Sequence, residues 1–376
     1  MEIAHPNDIE SCSTWLEVDL SAIKHNIQLL KTITNTSVMP VVKANAYGHG
    51  LIEVSLAAEA AGVNWLGVSR IEEAISLRNA GIRCSILILG YTSPPRIPEA
   101  IEHDVAVTLY DRMVASFYNQ AASGSRRKLR VHVKADSGMG RLGVPTAQAK
   151  QFLEELNGLK HLEIEGLFTH FARADEPDAP STDEQLTKFN DLLDSLSING
   201  NRPKIIHASN SAGALNFPKG RFDLVRCGIS VYGLNPSPQT RLPNGFRRAL
   251  AWKTRLTSVK VLPKGHGVSY GFHYYTPREE RIGVIAIGYA DGFRRVVGNR
   301  VLIRGKFADV VGAVCMDQCM IRLEDIPEAE VGDEVILIGD QAGKEISADQ
   351  IAESWQTINY EVVCGLADRV PRFYRS

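Results

Sequence analysis

The sequence predicts an α/β fold in which an N-terminal (β/α)8 TIM barrel is followed by a C-terminal, mostly-β domain. Apolar runs alternate with amphipathic segments between Val38 and Arg226, and short β-branched runs dominate the last third of the chain. A stretch rich in Pro, Asn and Gly, residues 233–247, separates the two patterns. Because eight strand–helix repeats close a barrel, we expect the barrel in residues 1–240 and the β-domain in residues 241–376.

The predicted barrel strands are short apolar runs rich in β-branched residues. They cover residues 38–43, 65–69, 85–89, 105–109, 129–135, 162–168, 204–207 and 222–226. Helical spacing predicts helices at residues 51–61, 71–79, 112–122, 147–157 and 184–196, and the polar residues 173–184 are predicted to form a rim loop. An open doubly wound sheet is the alternative. It would place a glycine-rich dinucleotide loop after the first strand, and Gly48-His49-Gly50 lacks the third glycine.

The C-terminal pattern predicts a small β-domain, with short strands broken by Gly, Pro and Asp. The strands are expected at residues 257–262, 282–287, 301–303, 309–314, 320–323 and 334–338, with one helix at 348–355. Residues 14–20 alternate in polarity just before a helical segment. We expect this tract to add a strand to the β-domain rather than to the barrel.

Composition excludes several classes of function. A net charge of −1 over 376 residues argues against nucleic acid or an anionic membrane as the main partner. No run approaches the roughly 18 apolar residues of a membrane span, and residues 1–13 lack the apolar core of a signal peptide. The six cysteines have neither disulfide nor zinc spacing. We therefore expect free thiols in the cytoplasm and no metal site.

Polar residues stand at the carboxyl ends of the predicted barrel strands, where barrel enzymes place their working groups. They are Lys43, Lys134, Asp136, His170, His207, Asn210, Ser211 and Arg226. A lysine at a strand end is a candidate Schiff-base former, since burial and neighbouring cations can lower the pKa of an amine. The segments 209–213 and 228–230 supply hydroxyls and glycines suited to a phosphate, although Ser211 could equally be a plain helix N-cap.

The decapeptide around Lys43, VVKANAYGHG at residues 41–50, resembles the cofactor-lysine signature of the alanine racemase family. Members of that family are fold-type III enzymes of pyridoxal 5′-phosphate (PLP), and further motifs extend the resemblance over nearly the whole chain. It implies that Tyr47, Ser211, Gly228, Ile229 and Tyr360 surround the cofactor phosphate.

The resemblance also places Arg226 at the pyridine nitrogen of the cofactor. Many PLP enzymes use a carboxylate there, which keeps the nitrogen protonated and makes the ring a full electron sink. An arginine cannot give up its proton at usable pH, so it leaves the nitrogen neutral and disfavours side reactions such as transamination. A PLP decarboxylase of the same fold normally has an acidic group at this position.

Racemisation needs two bases, one on each face of the substrate. The resemblance implies Lys43 on one face and Tyr270, in Gly267-Val268-Ser269-Tyr270-Gly271, on the other. Ionising a free tyrosine at pH 7 costs roughly 4 kcal/mol, which nearby groups must offset, and His170 and Arg226 are implied there. Because the family places this tyrosine at the barrel mouth of the partner subunit, we expect a homodimer with two composite sites.

Further matches concern the substrate. Arg141 is implied to contact the cofactor and the substrate carboxylate, Lys134 matches a lysine that some members carbamylate, and Tyr289 and Met316 match substrate-side segments. Ala313 departs from the family pattern, which often has an arginine there, and this puts substrate breadth in doubt. The expected activity is alanine racemisation that supplies D-alanine for peptidoglycan. A racemase of broader scope and a non-catalytic PLP carrier are the alternatives.

Overall fold

The computed structural model describes residues 6–176, 179–198, 200 and 202–376. The chain folds into two units, which we call the barrel unit, Ala22–Arg247, and the β-unit, Met1–Ser21 with Arg248–Ser376. The predicted lack of a signal peptide in residues 1–13 concerns a segment whose first five residues lie outside this description. Among the described residues, no helix has the length and apolarity that a membrane span requires.

The first strand, β1 (Thr14–Asp19), belongs to the β-unit and is followed by the barrel strands. These are β2 (Ser37–Pro40), β3 (Trp65–Val68), β4 (Ser85–Ile88), β5 (Val105–Leu109), β6 (Leu129–Asp136), β7 (Val144–Pro145), β8 (Leu162–Phe168), β9 (Ile205–His207) and β10 (Leu224–Cys227). Apart from the short β7, which pairs only with β6, they run parallel in the order β2-β3-β4-β5-β6-β8-β9-β10.

Three pairings between neighbouring strands close this row of eight described strands into the predicted barrel. Val41 bridges β2 to Gly67 of β3, and β10 pairs with β2 in parallel. Asp223 N donates to Ile206 O at 3.0 Å, which joins β9 to β10. The predicted (β/α)8 topology is therefore confirmed.

Each barrel helix covers the strands with one apolar face. The helix Leu20–Thr34, for example, buries Ile23, Ile27 and Leu30 at spacings of three and four residues. The other described helices of this unit are Leu51–Ala60, Ile71–Asn79, Ile97–Glu102, Arg112–Ala122, Thr146–Leu156, Pro180–Ser197 and Ser211–Asn216. Inside the barrel, Met39, Trp65, Leu87, Ala106 and Leu224 form one buried cluster.

Two local predictions in the barrel unit are wrong. The first barrel strand ends at Pro40 instead of residue 43, and a left-handed turn follows from Ala44 onward. The predicted rim loop at 173–184 is too long, since a helix already begins at Pro180. Proline is favoured in the first helical turn, because its missing N–H would have no partner there.

Besides β1, the β-unit contains the strands β11 (Leu250–Leu262), β12 (Gly267–Val268), β13 (Tyr274–Tyr275), β14 (Glu280–Ile285), β15 (Arg300–Ile303), β16 (Lys306–Val311), β17 (Cys319–Arg322), β18 (Glu334–Gln341), β19 (Lys344–Ile346) and β20 (Arg372–Arg375). Nine of the strands form one sheet in the order β19-β18-β15-β16-β17-β14-β11-β1-β20, and β12 pairs with β13 in a separate hairpin. β1 pairs antiparallel with β11 and parallel with β20. Two described helices, Ala348–Ser354 and Asn359–Cys364, complete the unit, and the sequence pattern predicts only the first.

Candidate active site

Lys43 opens a turn of left-handed helix in the barrel unit. The four residues from Ala44 to Tyr47 have φ between 51° and 54°, a region that residues with a side chain rarely adopt. Gly48 N donates to Ala44 O at 3.0 Å and closes the turn. At about 1–2 kcal/mol per residue, this conformation costs roughly 4–8 kcal/mol, so the surrounding structure must hold it. The turn leaves the side chain of Lys43 exposed.

Ser211 joins the ends of the last two barrel strands. Its Oγ accepts hydrogen bonds from Gly228 N at 3.0 Å and from the Ser230 hydroxyl at 3.0 Å. It is not the helix cap, because Asn210 fills that role by accepting from Gly213 N at 2.9 Å. The Ser211 hydroxyl is therefore turned toward the segment after β10 rather than into its own helix.

Tyr47 approaches Gly228 so closely that no other residue fits there. A Cβ on Gly228 would lie 2.3 Å from the hydroxyl oxygen of Tyr47. The Tyr47 ring also packs on Tyr232, with 5.0 Å between ring centroids, and Ile229 is fully buried beside Gly228 in the chain. Bare backbone and a phenol hydroxyl thus meet where the sequence predicts a phosphate.

Arg226 is buried, and both of its terminal nitrogens donate hydrogen bonds within the barrel. Its Nη1 donates to His207 Nδ1 at 2.9 Å, and its Nη2 donates to the carbonyls of Thr169 at 2.8 Å and Ala208 at 2.7 Å. Nη2 also lies 3.1 Å from His170 Nδ1. Burial lowers the pKa of Arg226 to about 9, which leaves the guanidinium protonated at neutral pH. The barrel thus holds a fixed cation at this point.

A chain of buried histidines supports Arg226 from inside the barrel. Because His207 Nδ1 accepts from Arg226, its proton sits on Nε2, which lies 2.9 Å from His132 Nδ1. The proton of His132 is then on Nε2, which faces Glu165 Oε2 at 3.5 Å. Burial lowers the pKa of both histidines, and both are neutral. Gly166 makes room for this chain, since a Cβ there would lie 2.4 Å from His132.

The barrel mouth carries an excess of positive charge. Burial, followed by the charges of Arg226 and Arg141, lowers the pKa of Lys134 to about 8. Burial, then Arg226 and Lys134, lowers the pKa of His170 well below its usual value, so this imidazole is neutral. Lys43 adds to both effects. A cluster of cations in one place favours an anionic ligand.

Asp136, the carboxylate at the end of β6, is occupied by the loop that leads to Arg141. Its Oδ1 accepts from Gly138 N at 2.9 Å and from Met139 N at 2.8 Å, and its Oδ2 accepts from Gly140 N at 3.0 Å. The carboxylate therefore shapes the loop, and Arg141 itself is exposed at its end.

In the β-unit, Tyr270 lies on the hairpin between β12 and β13. The hairpin backbone is left-handed at Ser269 (φ 67°), Gly271 (φ 74°) and Phe272 (φ 48°). The Ser269 hydroxyl anchors it by donating to Ala313 O at 2.7 Å. This geometry leaves the Tyr270 side chain 72% exposed.

The β-unit also brings two substrate-side segments of the resemblance together. Tyr289 N donates to Cys315 O and Ala290 N donates to Met316 O, each at 3.0 Å. The approach requires a glycine, since a Cβ on Gly288 would lie 2.1 Å from Met316 O. Tyr289 and Met316 are both exposed.

Arg369 ties the same two segments together through their carboxylates. Its Nε lies 3.1 Å from Asp291 Oδ1 and its Nη2 donates to Asp317 at 2.8 Å. Burial raises the pKa of Asp291, and the nearby charge of Arg369 opposes this rise. Tyr360, the remaining β-unit residue of the predicted site, is half-buried on the helix Asn359–Cys364.

The groups that support these residues were not assigned roles from the sequence. His132 and Glu165 were missed, as was Arg369, and His207 was noted only as a strand-end residue. One signal was available for His132. It precedes Lys134 by two positions in β6, so both side chains point to the same side of the strand.

Both units match domains of known proteins. Residues 18–236 match the model of the alanine racemase N-terminal domain, and residues 249–374 match that of the alanine racemase C-terminal domain. The chain belongs to the alanine racemase family. Its relatives include the alanine racemase of Symbiobacterium thermophilum, 47% identical over 96% of this chain and 97% of the relative. That of Desulfovibrio desulfuricans is 43% identical over the same shares.

Solved alanine racemases have the same fold. The Bacillus anthracis enzyme, crystallised with bound L-Ala-P, superposes with a TM-score of 0.92 and 42% identity over 97% of this chain and 95% of that one. The Clostridium difficile 630 enzyme has a TM-score of 0.91 and 39% identity over 97% and 96%. The alanine racemase fold therefore extends over nearly the entire chain.

Proposed function

We propose that the chain is a PLP-dependent alanine racemase that interconverts L-alanine and D-alanine. The observation that carries the proposal is Arg226, a buried cation held by His207 and two carbonyls at a cation-rich barrel mouth. When bound, PLP would form a Schiff base and delocalise negative charge from the substrate α-carbon. A permanent cation facing the pyridine nitrogen would limit that delocalisation and favour simple return of a proton over transamination or decarboxylation.

The described residues fit such a cofactor. Cations at the barrel mouth suit its phosphate, and the cradle of Tyr47 and Gly228 has no space for an additional Cβ. In our proposal Lys43 would hold the cofactor through its aldehyde group, Arg226 and His170 would bind at its ring, and the remaining residues would surround its phosphate. That last group comprises Tyr47, Ser211, Gly228, Ile229 and Tyr360.

Lys43 Nζ and the hydroxyl of Tyr270 are the proposed proton carriers. In the L-to-D direction, Tyr270 as phenolate takes the α-proton from one face, and Lys43 as ammonium returns a proton to the other. The two groups exchange protonation states, so the reverse reaction restores them. Positioned acid–base groups of this kind typically contribute about 10²–10⁴-fold to a rate.

Arg141 and the backbone N–H of Met316 are proposed to bind the substrate carboxylate, with Tyr289 beside them. Lys134 is a proposed carbamylation site. Only a neutral amine attacks CO2, and the lowered pKa of Lys134, about 8, increases the neutral fraction at physiological pH. The ammonium would first lose one proton; the neutral amine would then form an N–C bond to CO2 as one C=O π bond opens onto oxygen, and the nitrogen would release a second proton. The cation would thereby become a carbamate anion able to accept from Arg141.

A homodimer completes the proposed site. Tyr270, Phe272 and Tyr275 are exposed on one hairpin of the β-unit. Exposed aromatic clusters are typical of interfaces between proteins. We propose that Tyr270 of the partner subunit faces Lys43, and that the enzyme supplies D-alanine for peptidoglycan in the cytoplasm.

The test is racemisation of L-alanine by the purified protein with added PLP, followed by chiral chromatography. We expect D-alanine to accumulate to an equal mixture, with slower conversion of L-serine and L-lysine. Lys43→Ala should abolish both the absorption band of lysine-linked PLP and racemisation, whereas Lys128→Ala, at an exposed barrel lysine, should retain both. Absence of D-alanine from a PLP-loaded wild type would contradict the proposal, and equal rates on all three substrates would favour a broader racemase.

A further inference from the structure

Glu73 holds two neighbouring strand ends of the barrel with one carboxylate. Its Oε2 accepts from Ser69 N at 2.8 Å and from Arg70 N at 3.0 Å, at the start of the helix Ile71–Asn79. Its Oε1 reaches the turn that follows the neighbouring strand β2 and accepts from Ala44 N at 2.7 Å. Ala44 directly follows Lys43. The carboxylate therefore does more than cap its own helix.

The hydrogen bond to Ala44 lies at the start of the strained left-handed turn. Ala44 is the first of four successive residues in the left-handed region, and its N–H lies at the amino end of the turn. In any helical turn, the first N–H groups lack an acceptor within the turn itself. A carboxylate supplies a charge-assisted hydrogen bond, which is stronger than a neutral one.

We propose that Glu73 is a positioning residue for Lys43. Its carboxylate holds the left-handed turn in place and so fixes the direction in which Lys43 leaves the backbone. The inference rests on the proposed function, because it takes Lys43 as the point of cofactor attachment. Without the Oε1 bond, the turn would sample right-handed conformations and the amine would leave its position.

Glu59 provides a matched control. Its Oε1 also accepts two backbone N–H groups, Arg83 N and Cys84 N, each at 2.7 Å, and it lies on the helix Leu51–Ala60 of the same unit. Removing either carboxylate leaves backbone donors without their partner and lowers stability. Of these two carboxylates, Glu73 is the one with a described hydrogen bond to the turn that follows Lys43.

The experiment compares Glu73→Ala and Glu73→Gln with Glu59→Ala and Glu59→Gln in the full-length protein. We expect similar losses of Tm, but an approximately tenfold weaker apparent PLP affinity and slower formation of the lysine-linked band in Glu73→Ala alone. Glu73→Gln, which keeps one acceptor oxygen, should lie between Glu73→Ala and wild type. Borohydride trapping and peptide mapping would show that the linkage is at Lys43.

Amide hydrogen exchange over residues 41–50 provides a readout independent of the cofactor. It should accelerate in the cofactor-free Glu73 variants and stay at the wild-type rate in the Glu59 variants. Equal PLP affinity and equal exchange in the two series would overturn the inference and leave Glu73 as a helix cap. A wild type that never links PLP to Lys43 would instead overturn the proposed function itself. If Glu73→Ala fails to fold, Glu73→Gln alone decides the matter.

Discussion

The two units present groups of the predicted site in opposite ways. In the barrel unit, Arg226 is 3% exposed with hydrogen bonds from both terminal nitrogens, and Lys134 is 4% exposed. In the β-unit, Tyr270 is 72% exposed on a short hairpin. The barrel therefore buries and orients its cations with groups of the same chain. The hairpin instead holds its backbone in place and leaves the Tyr270 phenol exposed to solvent.

Both units nevertheless place their proposed proton carriers, Lys43 and Tyr270, directly beside left-handed backbone. Lys43 precedes four such residues, and Tyr270 is flanked by Ser269 and Gly271 with φ of 67° and 74°. Side chains hold each segment, Glu73 in the barrel and Ser269 in the hairpin. Strained segments persist only where the surrounding structure determines them, and they concentrate at functional sites. The two proposed proton carriers share this backbone strain, whereas the buried cations Arg226 and Lys134 belong to the barrel unit.

The largest effect is expected from Tyr270→Phe. Loss of one proton carrier should lower kcat by about 10²–10⁴-fold, most severely for the L-substrate, while the PLP band stays unchanged. Tyr275→Phe, on the same hairpin and 58% exposed, is the control and should retain wild-type activity. Rates on L-alanine and D-alanine, with absorption spectra, would check this. A Tyr270→Phe enzyme with normal kcat would show that Tyr270 of the β-unit does not carry a proton in the reaction.

Mixing two inactive variants tests whether the exposed hairpin acts on a second chain. Lys43→Ala and Tyr270→Phe protomers, co-expressed with different tags, should form mixed dimers in which one of two sites has both residues intact. Random pairing then restores roughly a quarter of wild-type activity, since half the dimers are mixed and each has one working site. Activity that stays at the level of the separate variants would show that each site is formed within one chain.

The smallest effect concerns the stability cost of the buried cation at Lys134. Its pKa of about 8 lies below the ordinary lysine value of 10.5, so the folded state disfavours the proton. The resulting penalty is complete below pH 8 and disappears as the pH rises from 8 to 10.5. In CO2-free buffer, Lys134→Met should therefore stabilise the cofactor-free protein by about 2–3 kcal/mol at pH 7, and progressively less toward pH 10.

Thermal unfolding across this pH range would check the expectation, with the exposed Lys128→Met as control. A gain that does not shrink with rising pH would mean that Lys134 is not destabilised by its charge. In air-equilibrated buffer, a carbamylated wild type would lose the penalty and show an added carboxyl group by intact mass.

Patterns within single segments were sufficient for the fold. Eight apolar runs with helical spacers predicted the closed barrel, and the helices 71–79 and 112–122 were predicted to the residue, because strand and helix periodicity are local properties. The end of the first strand was not predictable in this way. Val41, Val42 and Lys43 are predicted to continue the strand, whereas in the fold the strand ends at Pro40 and the backbone becomes left-handed at Ala44.

By itself, the sequence determined which residue types stand at the strand ends, including Lys43 and Arg226, and through its motifs the family. Only the tertiary structure decided what supports them. Glu165, His132 and His207 are far apart in the chain, yet they line up behind Arg226. The tautomers of the two histidines follow from their hydrogen bonds to each other and to Arg226. Periodicity reports which face of an element is apolar, whereas a hydrogen-bonded chain depends on distances between elements, and these exist only once the barrel has closed.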